Sequence, residues 1–173
     1  VALVVVLLLG AAVVAANNVT ERHELDRLLT RVASAQDAVA YSTRRVAATV
    51  DYTRPLLFGA SVPADVRAGL QQLVADAAGG QVDDLRQERD QAAAVRVVPW
   101  HRAMRAARAA LVAYVSARVS FLRSVSTDPH ILYVVHPELD RLLDAARQAF
   151  GRAGGAAARH RVDVAFAGGT HPA

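Results

Sequence analysis

The first sixteen residues, Val1 to Ala16, carry no charged or polar side chain, and the pattern changes abruptly at Asn17. At about 1.5 Å per residue such a run makes a helix of roughly 24 Å, a little short of a hydrocarbon core near 30 Å. The chain opens on Val1 with neither a methionine nor a basic flank, so the run is read as open at its front. Two readings compete. As a single-pass transmembrane anchor, residues 1–16 would hold the protein in membrane lipid and meet the interface at Asn17 and Asn18. As a signal segment, the run would end in Val14-Ala15-Ala16, a small-residue cleavage site. The anchor is favoured because the run already reaches the upper end of ordinary signal cores. A buried core helix is the third reading.

From Val19 the period becomes helical. Leu25, Leu28, Val32, Ala35, Val39, Ser42, Val46 and Thr49 step by three and four, a coiled-coil-like heptad seam. Pro55 disfavours helical geometry at the preceding residue, so this helix is expected to end near Arg54. Leu56 to Val62 reads as a connection, and Ser61 with Pro63 and Asp65 as the start of a second helix. Val66, Leu70, Leu73, Val74 and Ala77 form its expected buried stripe, interrupted by a reversal or bend at Gly79-Gly80. Gln81 to Gln91 is thinly apolar, and Pro99 marks a kink or short break.

The richest apolar face lies between Trp100 and Val125: Met104, Ala107, Leu111, Tyr114, Val115, Phe121, Leu122 and Val125. Ile131 to Val135 reads as an extended plug or a helical turn. Pro137 and Glu138 open a last helix with Leu139, Leu142, Leu143, Ala146 and Phe150 inward. Gly151, Gly154 and Gly155 weaken its end. The expectation is an all-α protein in which an N-terminal membrane helix precedes an antiparallel bundle of about four helices. The bundle domain spans residues 17–160, and a flexible C-terminal tail covers 161–173.

Composition agrees with packed helices: alanine and valine dominate, and aromatics make up 5%. All 20 basic residues are arginine. Without cysteine there are no disulfides, no thiolate metal site and no thiol nucleophile. Asp128, His130, His136 and Glu138 have metal-capable side chains, but their spacing matches no closed zinc pattern. His23, His101 and His160 read as isolated surface or partly buried side chains. No serine lies in a strand-to-helix elbow, and Gly79-Gly80 lacks the lysine of a phosphate loop. No catalytic, cofactor or metal residue is assigned, and the chain reads as a non-enzyme.

Charge is the more informative feature. Between residues 99 and 127 stand Arg102, Arg105, Arg108, Arg118 and Arg123 with no acid, while the neighbouring segments on both sides are net acidic. Arg102, Arg105 and Arg108 recur every third residue and share one broad side, making them the candidate anion- or partner-facing residues. The favoured arrangement is internal pairing with acids such as Asp83, Glu88 or Asp144. The alternative is an outward patch for lipid headgroups, wall polyanions or an acidic partner. Nucleic acid is not implied, since no binding motif is present.

In architecture only, the layout resembles the membrane-anchored helical sensor domains of bacteria. The functional expectation is a single-pass, extracytoplasmic bundle at the cell membrane. It would act as a non-catalytic interaction or scaffold module of the cell envelope, with a protein partner or self-association. The alternative is a small-molecule sensing or binding bundle, in which Tyr41, Tyr52, Trp100, Tyr114 and Tyr133 could line a pocket.

Overall fold

The computed structural model of the 173-residue chain describes residues 2–57, 59 and 61–168, with side chains from residue 10 onward. Every regular element among the described residues is helical: α1 (Ala2–Leu57), α2 (Ala64–Ala93), α3 (Arg102–Thr127), a 3-10 turn (Pro129–Tyr133) and α4 (Pro137–Ala167). The protein is an all-α helical bundle.

The longest helix, α1, is the spine. Its heptad seam is buried from Leu25 through Val46, with Thr49 half-buried, and continues into Val50, Thr53 and Leu57. Burial of Thr53 and Leu57 carries the helix past Arg54. Pro55 therefore sits exposed in the last turn instead of ending the helix one residue earlier.

The anchor expected at residues 1–16 is not a separate element, because the backbone from Ala2 is the opening of α1. The side chains of residues 1–9 lie outside the described residues. Among the described residues no helix is long and apolar enough to cross a membrane. From Gly10 the apolar stretch lasts only to Ala16, and Asn17, Asn18, Glu21 and Arg22 follow at once.

Gly79-Gly80 makes no reversal. α2 runs straight through both residues, which are exposed, and a Cβ built on either would touch nothing within 4 Å. Continuity resets the buried face: Val74, Ala78, Gln81, Val82, Leu85 and Ala92 face inward, while Val66 and Leu73 are exposed. The reversal between α2 and α3 falls instead at residues 94–101, around Pro99.

α3 follows its expected face closely. Met104, Ala107, Leu111, Tyr114, Val115, Leu122 and Val125 are buried, joined by Val119, and Phe121 is half-buried with its ring 4.8 Å from that of His136.

The true reversal by glycine lies in α4. Gly155 adopts φ 62, ψ −164, a conformation that a Cβ would strain. Beyond it Arg147 pairs with Asp163 at 2.7 Å, and the Phe150 and Phe166 ring centroids stand 5.5 Å apart. A straight helix would hold residues 147 and 163 about 24 Å apart, so α4 is a hairpin of two limbs, 137–154 and 156–167. Val162 and Ala165 are buried, and Arg161 reaches Asp26 of α1. Residues 161–167 are thus a packed limb rather than a loose tail, because the fold at Gly155 returns their apolar face to the core. Residues 169–173 lie outside the described residues.

Cross-contacts fix the directions. Arg31–Gln91 and Ser34–Glu88 run α2 antiparallel to α1, while Glu24–His101 and Gln36–Tyr114 run α3 parallel to it. The first limb of α4 descends beside α3, and the second climbs beside α1, from Leu25 against Gly154 to Asp37 against Gly168. The foot of the bundle lies level with Asn17 to Leu25, and α1 outruns its neighbours there with residues 10–16 exposed.

Two substitutions of one kind should act in opposite directions. Gly79→Ala, at an exposed helical position, should stabilise the protein by about 0.5–1 kcal/mol. Gly155→Ala should destabilise it by about 1–3 kcal/mol, because the backbone there is closed to a side chain. Urea unfolding of both variants measures the two shifts. Destabilisation by both would mean that α2 bends at Gly79.

Candidate functional site

Stepping down α1 from Leu28 by four, three and four residues places Glu24, Glu21 and Asn17 along one line of the helix. They meet the α2–α3 connection at the foot of the bundle. His101, the residue before α3, is 5% exposed, and Glu24 is 4% exposed. Nδ1 of His101 stands 2.5 Å from Glu24 Oε2, and Nε2 stands 2.9 Å from Asn17 Oδ1. The backbone N–H of Val98 donates to Glu24 Oε1 at 2.6 Å, and the Asn17 amide donates to Glu21 Oε1 at 3.2 Å.

The indole of Trp100 joins the same cluster. Its Nε1–H donates to Asn17 Oδ1 at 3.1 Å, and an indole can only donate. The Asn17 atom facing the connection is therefore oxygen, so Nε2 of His101, facing the same oxygen, also carries a proton. Nδ1 and Glu24 Oε2 share a hydrogen bond, and the second oxygen of Glu24 is satisfied by the Val98 N–H. The cluster pins the connection to α1 and sets Trp100 outward, 70% exposed, beside Val13 and Val14.

His101 is the functional residue that the sequence pattern does not single out, since no partner lies near it along the chain. The buried face of α1 continued upstream would have shown a carboxylate, which calls for a cation or donor opposite.

The candidate arginines of α3 part company. Arg108 turns inward and donates to the Val95 carbonyl at 2.8 Å, while Arg102 and Arg105 are exposed. Among the described residues no ion pair joins these three to an acid. Two of the expected partners are engaged elsewhere: Asp83 pairs with Arg86, and Glu88 accepts from Ser34. Arg118 lies over the Tyr114 ring at 5.5 Å.

The four metal-capable residues after α3 do not converge. Asp128 caps the 3-10 turn by accepting from the His130 N–H at 3.0 Å, and His136 Nε2 faces the Ile131 carbonyl at 2.8 Å. At this head end the Tyr133 hydroxyl donates to Asp51, and Arg54 lies over its ring at 4.8 Å. Burial first, and the Asp51 carboxylate second, raise the Tyr133 hydroxyl above its ordinary value of 10.0. The raised value favours the neutral phenol in the fold. Its contribution to stability is complete below the ordinary value and is lost as pH climbs through the folded one.

Removing one member of the foot pair should be costly. His101→Ala leaves the Glu24 carboxylate buried and short of a partner, and the expected loss is about 3–5 kcal/mol in urea unfolding. The double variant Glu24→Ala/His101→Ala should lose clearly less than the sum of the two single variants. Additive losses would show that the two side chains do not act together.

No known protein family, curated protein or solved structure matches the chain.

Proposed function

We propose that the protein is a non-catalytic interaction or scaffold module, held at the cell membrane by the apolar start of α1 with the bundle on the extracytoplasmic side. The observation that carries this reading is the exposure of apolar side chains at the foot of the bundle. Val13 and Val14 are 68% and 61% exposed on the part of α1 that outruns its neighbours, and the sequence upstream, Val1 to Leu9, is wholly apolar. Trp100 stands beside them with its ring outward and its N–H bound to Asn17. An amphipathic ring in that position suits a membrane–water interface, where tryptophan is enriched.

The head supports the interaction half of the reading. Tyr52 and Val135 are 80% and 81% exposed, and Leu56, Tyr133 and Val134 are exposed at the same end. Apolar side chains gathered at the end remote from a membrane suit a protein partner or a second copy of the chain. A sensing bundle with its ligand in the core would instead need a polar-lined cavity between the helices, and the interior between α1 and α3 is filled by side chains such as Leu28, Val32, Leu111 and Val115.

Membrane attachment is tested by fractionation. The full chain should stay with membranes through an alkaline carbonate wash, and a variant lacking residues 1–16 should appear in the soluble fraction. Trp100 fluorescence should be quenched by lipids brominated near the headgroup. Release of the full chain by the wash would overturn the anchor. Activity of a C-terminal reporter only in the cytoplasm would overturn the orientation.

A further inference from the structure

Beside the foot, α1 and the α2–α3 connection leave a cleft of about 520 Å³ lined by Arg27, Arg31, Gln91 and Arg96, among others. A second cleft of about 450 Å³ adjoins it, sharing Arg27 and Arg96 and adding His23. Arg27 and Arg31 stand one helical turn apart on α1, a spacing at which like charges repel. Arg96 comes from the connection and faces them. Arg31 is oriented by donating to Gln91 Oε1, and Arg108 reaches the same wall from behind through the Val95 carbonyl.

Among the described residues no carboxylate pairs with these three guanidinium groups. The carboxylate that lines either cleft, Glu24, has one oxygen on the Val98 N–H and the other on His101. Asp26 pairs with Arg161 and Asp90 with Arg89, while Glu88 accepts from Ser34 and Glu21 from Asn17. Guanidinium groups present flat forks of N–H donors that match the oxygens of a tetrahedral oxyanion two at a time.

We propose that this groove is an anion site for a phosphate group, with Arg27 and Arg96 as its principal ligands and Arg31 as a third. The site does not depend on membrane attachment, since the groove is built by the bundle alone. Phosphate could reach it as the headgroup of an anionic lipid or as a soluble phosphate, and both present the same tetrahedral oxygens.

The test is equilibrium dialysis of the full chain, in zwitterionic detergent, against radiolabelled inorganic phosphate. Saturable binding is expected, weakened by about tenfold or more in Arg27→Gln/Arg96→Gln. Both side chains are exposed, so the variant should unfold at the same urea concentration as the parent. Arg102→Gln/Arg105→Gln, which removes the same charge elsewhere, should bind as the parent does. Displacement of bound phosphate by phosphatidylglycerol in phosphatidylcholine nanodiscs would assign the site to a lipid headgroup. Retention of phosphate against those nanodiscs would assign it to a soluble phosphate. Absence of saturable binding, or equal weakening by the two double variants, would overturn the proposal.

Discussion

Two ionisable side chains are taken out of water at the foot of the bundle, Glu24 and His101, and the arrangement of the lower half follows from satisfying them. A carboxylate buried on α1 would be costly unless donors converged on it. The α2–α3 connection supplies two, the Val98 N–H and the imidazole. To deliver both, the connection must cross α1 at one height. That height sets where α2 ends, where α3 begins and how far α1 projects beyond them.

The upper part of the bundle is organised differently. Between α1, α2 and α3 the core is Leu, Val and Ala with one large aromatic, Tyr114, and small side chains allow close approach of the helices. Polar atoms buried there are few but ill-served: Gln36 Nε2, Ser42 Oγ and Gln81 Oε1 have no partner. A buried face of α1 that admits Gln36 and Ser42 gives up stability relative to an apolar one. It also resists sliding by a turn, because any other register would set these groups against leucine or valine.

The helices were legible where apolar period alone decides the outcome. The α1 seam and the α3 face could be read nearly residue by residue, since each is long and has a single buried side. Punctuation by glycine and proline was read less well, for a physical reason. These residues permit a turn without compelling one, and packing elsewhere chooses. Gly79 and Gly80 stay helical because Val82 and Leu85 beyond them are buried on the same side as Val74 and Ala78. Gly155 turns because Phe166 and Val162 then reach the core, and that pairing is visible only once the chain is folded back. The His101 cluster was hidden for a related reason: its two halves, Asn17 to Glu24 and Val98 to His101, are joined by bonds that span 74 to 84 positions, and no local pattern links one half to the other.

The hairpin in α4 also bears on the order in which the protein can be completed. Its second limb lies on the lower part of α1, so that Arg161 meets Asp26 across 135 positions of sequence. Contacts so distant along a chain close late, because the loop between them must first be gathered. On a ribosome, α1 would emerge first yet be the last helix fully covered, with Leu25 and its neighbours exposed until residues 154–166 arrive. The earliest-made segment of the bundle is therefore the one that waits longest for its partners.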